Sequence, residues 1–485
     1  MRVLRFIIMK ILMVGSEVMP YAATGGLGDV LGSLPQACKK QWGDDLDIRL
    51  VMPLYQAVGD QYRSKLEYIT NFSVKLGWRN LYCGIFKYEN DGVTIYFIDN
   101  EYYFKRPELY GSYDDGERFA FFSSAVLQML PVLNFYPDIL HAHDWQSALS
   151  VVYLKTIYRH APFYENIKAI FTIHNIAYQG KYGFEILGDV FGLDSKYQSI
   201  VAYDNCINLM KGAIVCADKV TTVSPTYAEE ICDPAYAEGL EHILSENKYK
   251  LSGILNGIDY SYYNPSKDKT LYATYSFRSL SKKTLNKIGF QKEFGLPERE
   301  DVPMLAIISR LASHKGLDLV SEIMEQVICD HDIQFVVLGK GEQRFEDYFN
   351  YLQWKYPDKV KALLAYDRNL SKKIYGASDI FIMPSLSEPC GLAQMIASRY
   401  GAVPVTRETG GLYDSIKGYY EDKGKIYGNG FTFANYFSYE LKDRIEAALY
   451  LYQDREKWQK LQRKIMRTDF SWDSSAKKYI DLYKE

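Results

Sequence analysis

Short apolar runs alternate along the chain with longer stretches whose apolar residues recur every three or four positions. In the first half the runs fall at residues 11–14, 48–52, 93–98, 139–141, 169–173, 220–223 and 252–255. Each is short and dense enough to be a buried strand. Residues 117–130 and 205–215 lie between them and carry the helical period. Strands that alternate with helices predict a parallel sheet covered on both faces, an α/β fold of the doubly wound kind. After Asn256-Gly257-Ile258-Asp259 the pattern lapses. Residues 260–286 are polar, tyrosine-rich and weakly periodic, as expected of a linker or surface excursion. Strand patterns resume at Met304–Ile308, 335–338, Ile380–Met383 and 403–405, with helical ones at 316–328, 370–377 and 390–400. Two doubly wound domains are the economical picture.

Length supports it, since 485 residues exceed what one core can organise. A balance of 57 basic against 60 acidic residues gives no electrostatic basis for binding nucleic acid. No apolar run approaches the roughly 20 residues that span a bilayer, so no membrane association is expected. Seven cysteines without a C-x-x-C pair fit reduced thiols and a cytoplasmic location. Residues 1–8 precede a second methionine, Met9, lack a small-residue cleavage site, and read as an N-terminal extension. The 43 tyrosines suit sugar rings and an aromatic core equally.

Candidate chemistry lies where strands end. Thr24-Gly25-Gly26-Leu27-Gly28-Asp29 follows the first strand and opens into a helix. Glycines there let backbone amides meet an anionic ligand, although the same turn can simply close a βα unit. The G-x-G-x-x-G pattern is missed by one position at Gly32, no Gly-Lys pair has the Ser or Thr of a P-loop, and no zinc motif is present. Four further polar motifs follow strands: His141-Ala142-His143-Asp144-Trp145, the stretch His174-Asn175 to Gly180, Asn256-Gly257-Ile258-Asp259, and Ser309-Arg310 to Lys315-Gly316. A fifth is Ser385-Leu386-Ser387-Glu388-Pro389-Cys390-Gly391-Leu392. Doubly wound folds bind ligands at this edge. Arg310 and Lys315 flank a turn into a helix, where two cations oppose the dipole unless an anion such as pyrophosphate lies between them. Glu388 reads as a helix cap or as a partner for sugar hydroxyls. Cys390 reads as a small buried hydrophobe, and His174 as a hydrogen-bonded core histidine, as readily as ligand contacts.

Together these motifs resemble the bacterial glycogen synthase and plant starch synthase family, from Met9 onward. Leu76-Gly77-Trp78-Arg79, Phe97-Ile98-Asp99-Asn100-Glu101-Tyr102-Tyr103 and Asp114-Asp115-Gly116-Glu117-Arg118-Phe119 add to the resemblance. It implies the GT-B architecture, two Rossmann-like domains facing a deep interdomain cleft. Residues 9–258 would form the glucan acceptor side and 259–465 the nucleotide-sugar donor side, with 466–485 a helix returning to the first domain. It implies retaining transfer of glucose from ADP-glucose, or from UDP-glucose, to the non-reducing 4-OH of an α-1,4-glucan such as glycogen or a maltooligosaccharide. Neither a cofactor nor a catalytic metal is implied. Carried over by position, Arg310 and Lys315 neutralise the leaving pyrophosphate. Glu388, Cys390, Gly391 and Leu392 hold the donor glucose and phosphates, and His174 contacts that glucose. Asp144 lies where donor and acceptor sugars meet, and Glu17, Thr24, Gly25, Gly26 and Asp29 lie near the donor. Asn256 is at the hinge, and Thr409, Gly410 and Gly411 meet the distal phosphate through a helix N-terminus.

The chain departs from the family's pattern at Ala23, where a lysine usually precedes the glycines, and at Lys372, where a histidine is common. Ile396 stands where many related transferases carry a second acid, which glycogen synthases also lack. Ala23 motivates one alternative, a catalytically weak glucan-binding or regulatory relative; a GT-B transferase with another acceptor is a second.

Overall fold

The computed structural model describes residues 8–485, so the expected extension at 1–8 falls, but for Ile8, outside the described residues. The chain forms two compact units. One comprises the chain up to Gly257 together with Trp472–Glu485, the other Ile258–Ser471.

The first unit is built on a nine-stranded sheet. Its strands are β1 (Met9–Val14), β2 (Leu46–Pro53), β3 (Glu67–Leu76), β4 (Arg79–Asn90), β5 (Val93–Asp99), β6 (Ile139–His143), β7 (Lys168–Ile173), β8 (Lys219–Thr222) and β9 (Leu251–Gly253). The order is β9-β8-β7-β6-β1-β2-β5-β4-β3. All neighbours are parallel except β5-β4 and β4-β3. The central strands are buried on both faces, and so read as continuous apolar runs. β3 and β4 pair as a hairpin at the edge of the sheet and are only partly buried, which is why no apolar run announces them.

The second unit carries a six-stranded, wholly parallel sheet. Its strands are β10 (Met304–Ile308), β11 (Gln334–Leu338), β12 (Val360–Leu363), β13 (Ile380–Met383), β14 (Val403–Arg407) and β15 (Phe431–Phe433), in the order β12-β11-β10-β13-β14-β15. Two doubly wound sheets are what the alternation predicts.

Several boundaries differ from the sequence reading for local reasons. The helix expected over 205–215 runs Leu209–Cys216, because Cys206–Asn208 is an antiparallel strand and Asn208 caps the helix through Lys211 N. The helix expected over 390–400 runs Ala393–Arg399, because Gly391 sits at φ +69°. Residues 260–286 are in part exposed, as expected, but the stretch is anchored in the core at several positions. Tyr275 is 1% exposed and donates its hydroxyl to Tyr400 O at 2.7 Å, and Tyr400 donates to buried Asp268 at 2.5 Å. The returning helix is Trp472–Lys484 rather than 466–485, since Met466 belongs to the helix Arg455–Arg467 and is buried in the second unit with Trp458, Leu461 and Ile465. Trp472–Lys484 is tied to the first unit by Lys40–Asp473 at 2.8 Å, by Ser475 Oγ donating to Leu255 O at 2.6 Å, and by Tyr483 OH against His141 Nδ1 at 2.8 Å.

One buried ion pair stands under the second sheet. Lys287 meets Asp379 at 2.6 Å and also donates to Val302 O and Tyr452 OH, while Asp379 accepts the Met304 amide at the start of β10. Removing one partner strands the other charge, which costs about 3–5 kcal/mol. Lys287→Met is therefore expected to lower the unfolding free energy of the second unit by that amount, read as a lower urea midpoint, and a midpoint equal to wild type would contradict the pairing.

Candidate active site

In the first unit the parallel register brings two sequence motifs together. β6 pairs with β7, His143 opposite Thr172, so Asp144 and His174 emerge side by side. Asp144 donates its amide to Thr172 O at 3.0 Å, and its Oδ1 accepts the His174 amide at 2.7 Å. Its backbone stands at φ 57° and ψ 176°, a region that non-glycine residues adopt at a cost of about 1–3 kcal/mol and that clusters at functional sites. Desolvation pushes the Asp144 carboxyl up to about 7, against the opposing amides of His174 and Asn175. His174 is neutral, its pKa lowered to about 3 by burial, and its Nε2 lies 3.0 Å from His143 Nδ1. Asn256 follows β9, is buried, and has no partner for its Oδ1.

The Gly25-Gly26 turn is tied differently from the expectation of free amides. Glu17 Oε2 accepts the amides of Thr24 and Gly25 at 2.7 and 3.0 Å, and Oε1 accepts the Thr24 hydroxyl at 2.7 Å. Glu17 is thus a clamp on the turn. A Cβ added at Gly25 or Gly26 would meet nothing within 4 Å, so packing does not demand glycine at either position. Gly28 is different, because its Cβ would lie 2.3 Å from that of Ala23. Asp29 occupies the first turn of the short helix Gly26–Leu31.

In the second unit β10 and β13 are neighbours, and the loops that follow them meet. Lys315 Nζ donates to Glu388 Oε2 at 2.7 Å, and Ser385 Oγ donates to the same oxygen at 3.0 Å. Arg310 is exposed one loop residue after Ser309 and makes no ion pair among the described residues. Gly316 turns the chain at φ +72° into the helix Leu317–Asp330, and its Cβ would lie 2.1 Å from Pro384 O. Only glycine fits that contact. Cys390 is buried, Gly391 takes φ +69°, and Leu392 precedes the helix Ala393–Arg399. Gly411 packs on Cys390 so closely that a Cβ would lie 2.1 Å from its carbonyl oxygen. The Gly411 amide goes to Glu388 O and Pro389 O at 3.1 and 3.2 Å, which removes it from the expected phosphate-facing set. Thr409 and Gly410 open the same turn, Thr409 fully buried and Gly410 at φ +42°.

Arg310, Lys315 and Glu388 therefore gather in the second unit, and Asp144 and His174 in the first. Ser385 and His143 join them without having been singled out as site residues. Their signals were positional, a serine three residues before Glu388 and a histidine just before Asp144.

Known proteins resemble this chain in sequence and fold. Residues 10–246 match the starch synthase catalytic domain family, and 290–465 match glycosyl transferases group 1. The glycogen synthase of Ligilactobacillus salivarius is 46% identical over 479 residues, covering 98% of this chain and 100% of its own. That of Clostridium botulinum is 47% identical over 480 residues, covering 98% and 99%. The chain belongs to the glycogen and starch synthase family. The catalytic domain of starch synthase IV from Arabidopsis thaliana, solved bound to ADP and acarbose, matches this glycosyltransferase with a TM-score of 0.89 and 34% identity over 98% of this chain and 99% of that one. Sucrose-phosphate synthase of Thermosynechococcus elongatus, at 15% identity and a TM-score of 0.61 over 98% of both chains, shares the GT-B fold. No helix among the described residues is long and apolar enough to cross a membrane.

The raised pKa of Asp144 sets a sign for stability. Between about 4, its unfolded value, and about 7 the folded state holds a proton that the unfolded state has lost, so stability falls as pH rises through that window. Asp144→Asn keeps an acceptor for the His174 amide and cannot ionise. The variant is expected to gain melting temperature relative to wild type at pH 8 and to gain little at pH 4, each kcal/mol being worth about 2–4 °C. A gain equal at both pH values would contradict the assignment.

Proposed function

We propose that this glycosyltransferase lengthens α-1,4-glucans, moving glucose with retention from ADP-glucose to the non-reducing 4-OH of the growing chain. The observation that carries the reading is the Lys315–Glu388 pair beside exposed Arg310, within a chain whose relatives along its whole length are glycogen synthases. Arg310 and Lys315 supply fixed positive charge for the diphosphate as it leaves, with forked hydrogen bonds from the guanidinium and a compact charge from the ammonium. Glu388, steadied by Lys315 and Ser385, accepts from sugar hydroxyls. Neutral His174 and the adjoining Asp144 meet the transferred glucose through polar groups. ADP as the nucleotide accords with the ADP found on the Arabidopsis relative.

A donor competition assay with glycogen as acceptor tests this reading, the expected result being transfer from ADP-glucose in preference to UDP-glucose. Failure to transfer glucose from either donor while binding both would overturn it. Arg310→Ala and Lys315→Ala are each expected to lower kcat by ~10²-fold or more, as loss of a transition-state contact does. Unchanged turnover in both would remove the diphosphate assignment.

Ala23 favours a second reading, a weak glucan-binding or regulatory relative. The family's lysine is replaced by a methyl group that packs on Gly28. Ala23→Lys separates the two in the same assay. A gain in kcat/KM of less than about tenfold, one ordinary hydrogen bond's worth, is expected of a competent enzyme, and a gain of orders of magnitude would favour the degenerate relative.

A further inference from the structure

Two neighbouring imidazoles determine what His174 offers a ligand. His143 Nδ1 and His174 Nε2 lie 3.0 Å apart, and burial keeps both rings neutral. A hydrogen bond between neutral imidazoles needs one N–H and one bare nitrogen, so fixing the tautomer of one ring fixes the other.

The enclosure of His143 selects between the two arrangements. Its Nε2 is buried and has no partner among the described residues. The nearest ring, His141 at 4.2 Å between centroids, has both nitrogens engaged, Nδ1 with Tyr483 OH at 2.8 Å and Nε2 with Thr172 Oγ1 at 2.7 Å. If His174 donated from Nε2, His143 would carry its proton on that enclosed Nε2. The result would be an orphaned buried N–H, the rarest kind of unsatisfied group, at about 1–3 kcal/mol. If His143 donates from Nδ1, its Nε2 is a bare ring nitrogen and no N–H is stranded. His174 then carries its own proton on Nδ1, the ring nitrogen that has no protein partner and is not enclosed.

We propose that His143 is a positioning residue that holds His174 as the Nδ1–H tautomer, so that His174 presents a hydrogen-bond donor to a sugar oxygen. The tautomer follows from the buried pair alone, and only its consequence for transfer rests on the proposed function. A neutral histidine side chain free in water prefers its proton on Nε2, so the protein holds His174 in the less common form.

The chain has seven histidines, few enough for histidine-selective 15N labelling with assignment by single substitution. Long-range 1H–15N correlation spectra of the intact enzyme are expected to show His174 protonated at Nδ1 and bare at Nε2. In His143→Leu the Nε2–H form of His174 is expected to appear, and in His143→Asn, whose side-chain amide can donate in the same direction, the Nδ1–H form is expected to persist. A wild-type spectrum with His174 protonated at Nε2 overturns the proposal without need of any variant, and so does a His143→Leu spectrum identical to wild type. In the transfer assay His143→Leu is expected to lose about tenfold in kcat, a hydrogen bond's worth, with His143→Asn restoring most of it. Full kcat in His143→Leu alongside the altered tautomer would overturn the link to transfer. A wild-type enzyme that transfers no glucose would instead overturn the proposed function and leave the tautomer measurement standing.

Discussion

Strands that pair in parallel all end at the same edge of their sheet, and every chain leaving such a sheet must do so beside its neighbours. In the first unit this forces the chain after His143 against the chain after Ile173, and a single hydrogen bond from the His174 amide to Asp144 follows. In the second it forces the loop after Ile308 against the loop after Met383, and Lys315 finds Glu388 73 residues further on. Residues distant in sequence become partners because the sheet leaves them no other place. The glycines at 316 and 411 refine that placement, since each brings backbone to within a distance that a Cβ would forbid.

The two clusters differ in electrical character. In the first unit burial suppresses charge. His141 and His174 are driven to about 3, His143 lies well below its usual range, and Asp144 is driven up to about 7. In the second, Lys315 and Glu388 form a salt bridge with their side chains 18% and 9% exposed, and Arg310 stands in solvent. Neutral donors and acceptors suit hydroxyl groups, whose recognition needs direction more than charge. Ionised groups suit a diphosphate, whose charge grows as it departs. The contrast is one of burial, which suppresses charge in the first cluster, against ion pairing and exposure in the second.

The buried parallel strands were legible because burial on both faces writes an uninterrupted apolar run, as at Met304–Ile308 and Lys168–Ile173. The edge hairpin β3-β4 was not, because strands with one wet face carry tyrosines, lysines and asparagines that blur the pattern. Residues 260–286 misled for a related reason. Tyr275 and Asp268 are buried there through hydroxyl and carboxyl hydrogen bonds, which a reading based on apolarity takes for solvent exposure. In the candidate site the individual residues were legible from their positions after strands. Their mutual bonds were not, since nothing in the sequence says that Glu17 bonds the Gly25 turn or that Gly411 gives its amide to Glu388 and Pro389.

The clamp made by Glu17 carries a thermodynamic consequence. The amides of Thr24 and Gly25 are already spoken for by an intramolecular carboxylate. An anion that binds them must displace Glu17, and its observed affinity equals its intrinsic affinity less the free energy of that exchange. For any such anion the resident carboxylate is an intramolecular competitor, present whatever the concentration of the protein. Without an anion the resident carboxylate keeps the turn ordered. An anion taking its place would free that carboxylate and so change the local charge beside the first strand, even with the backbone unmoved.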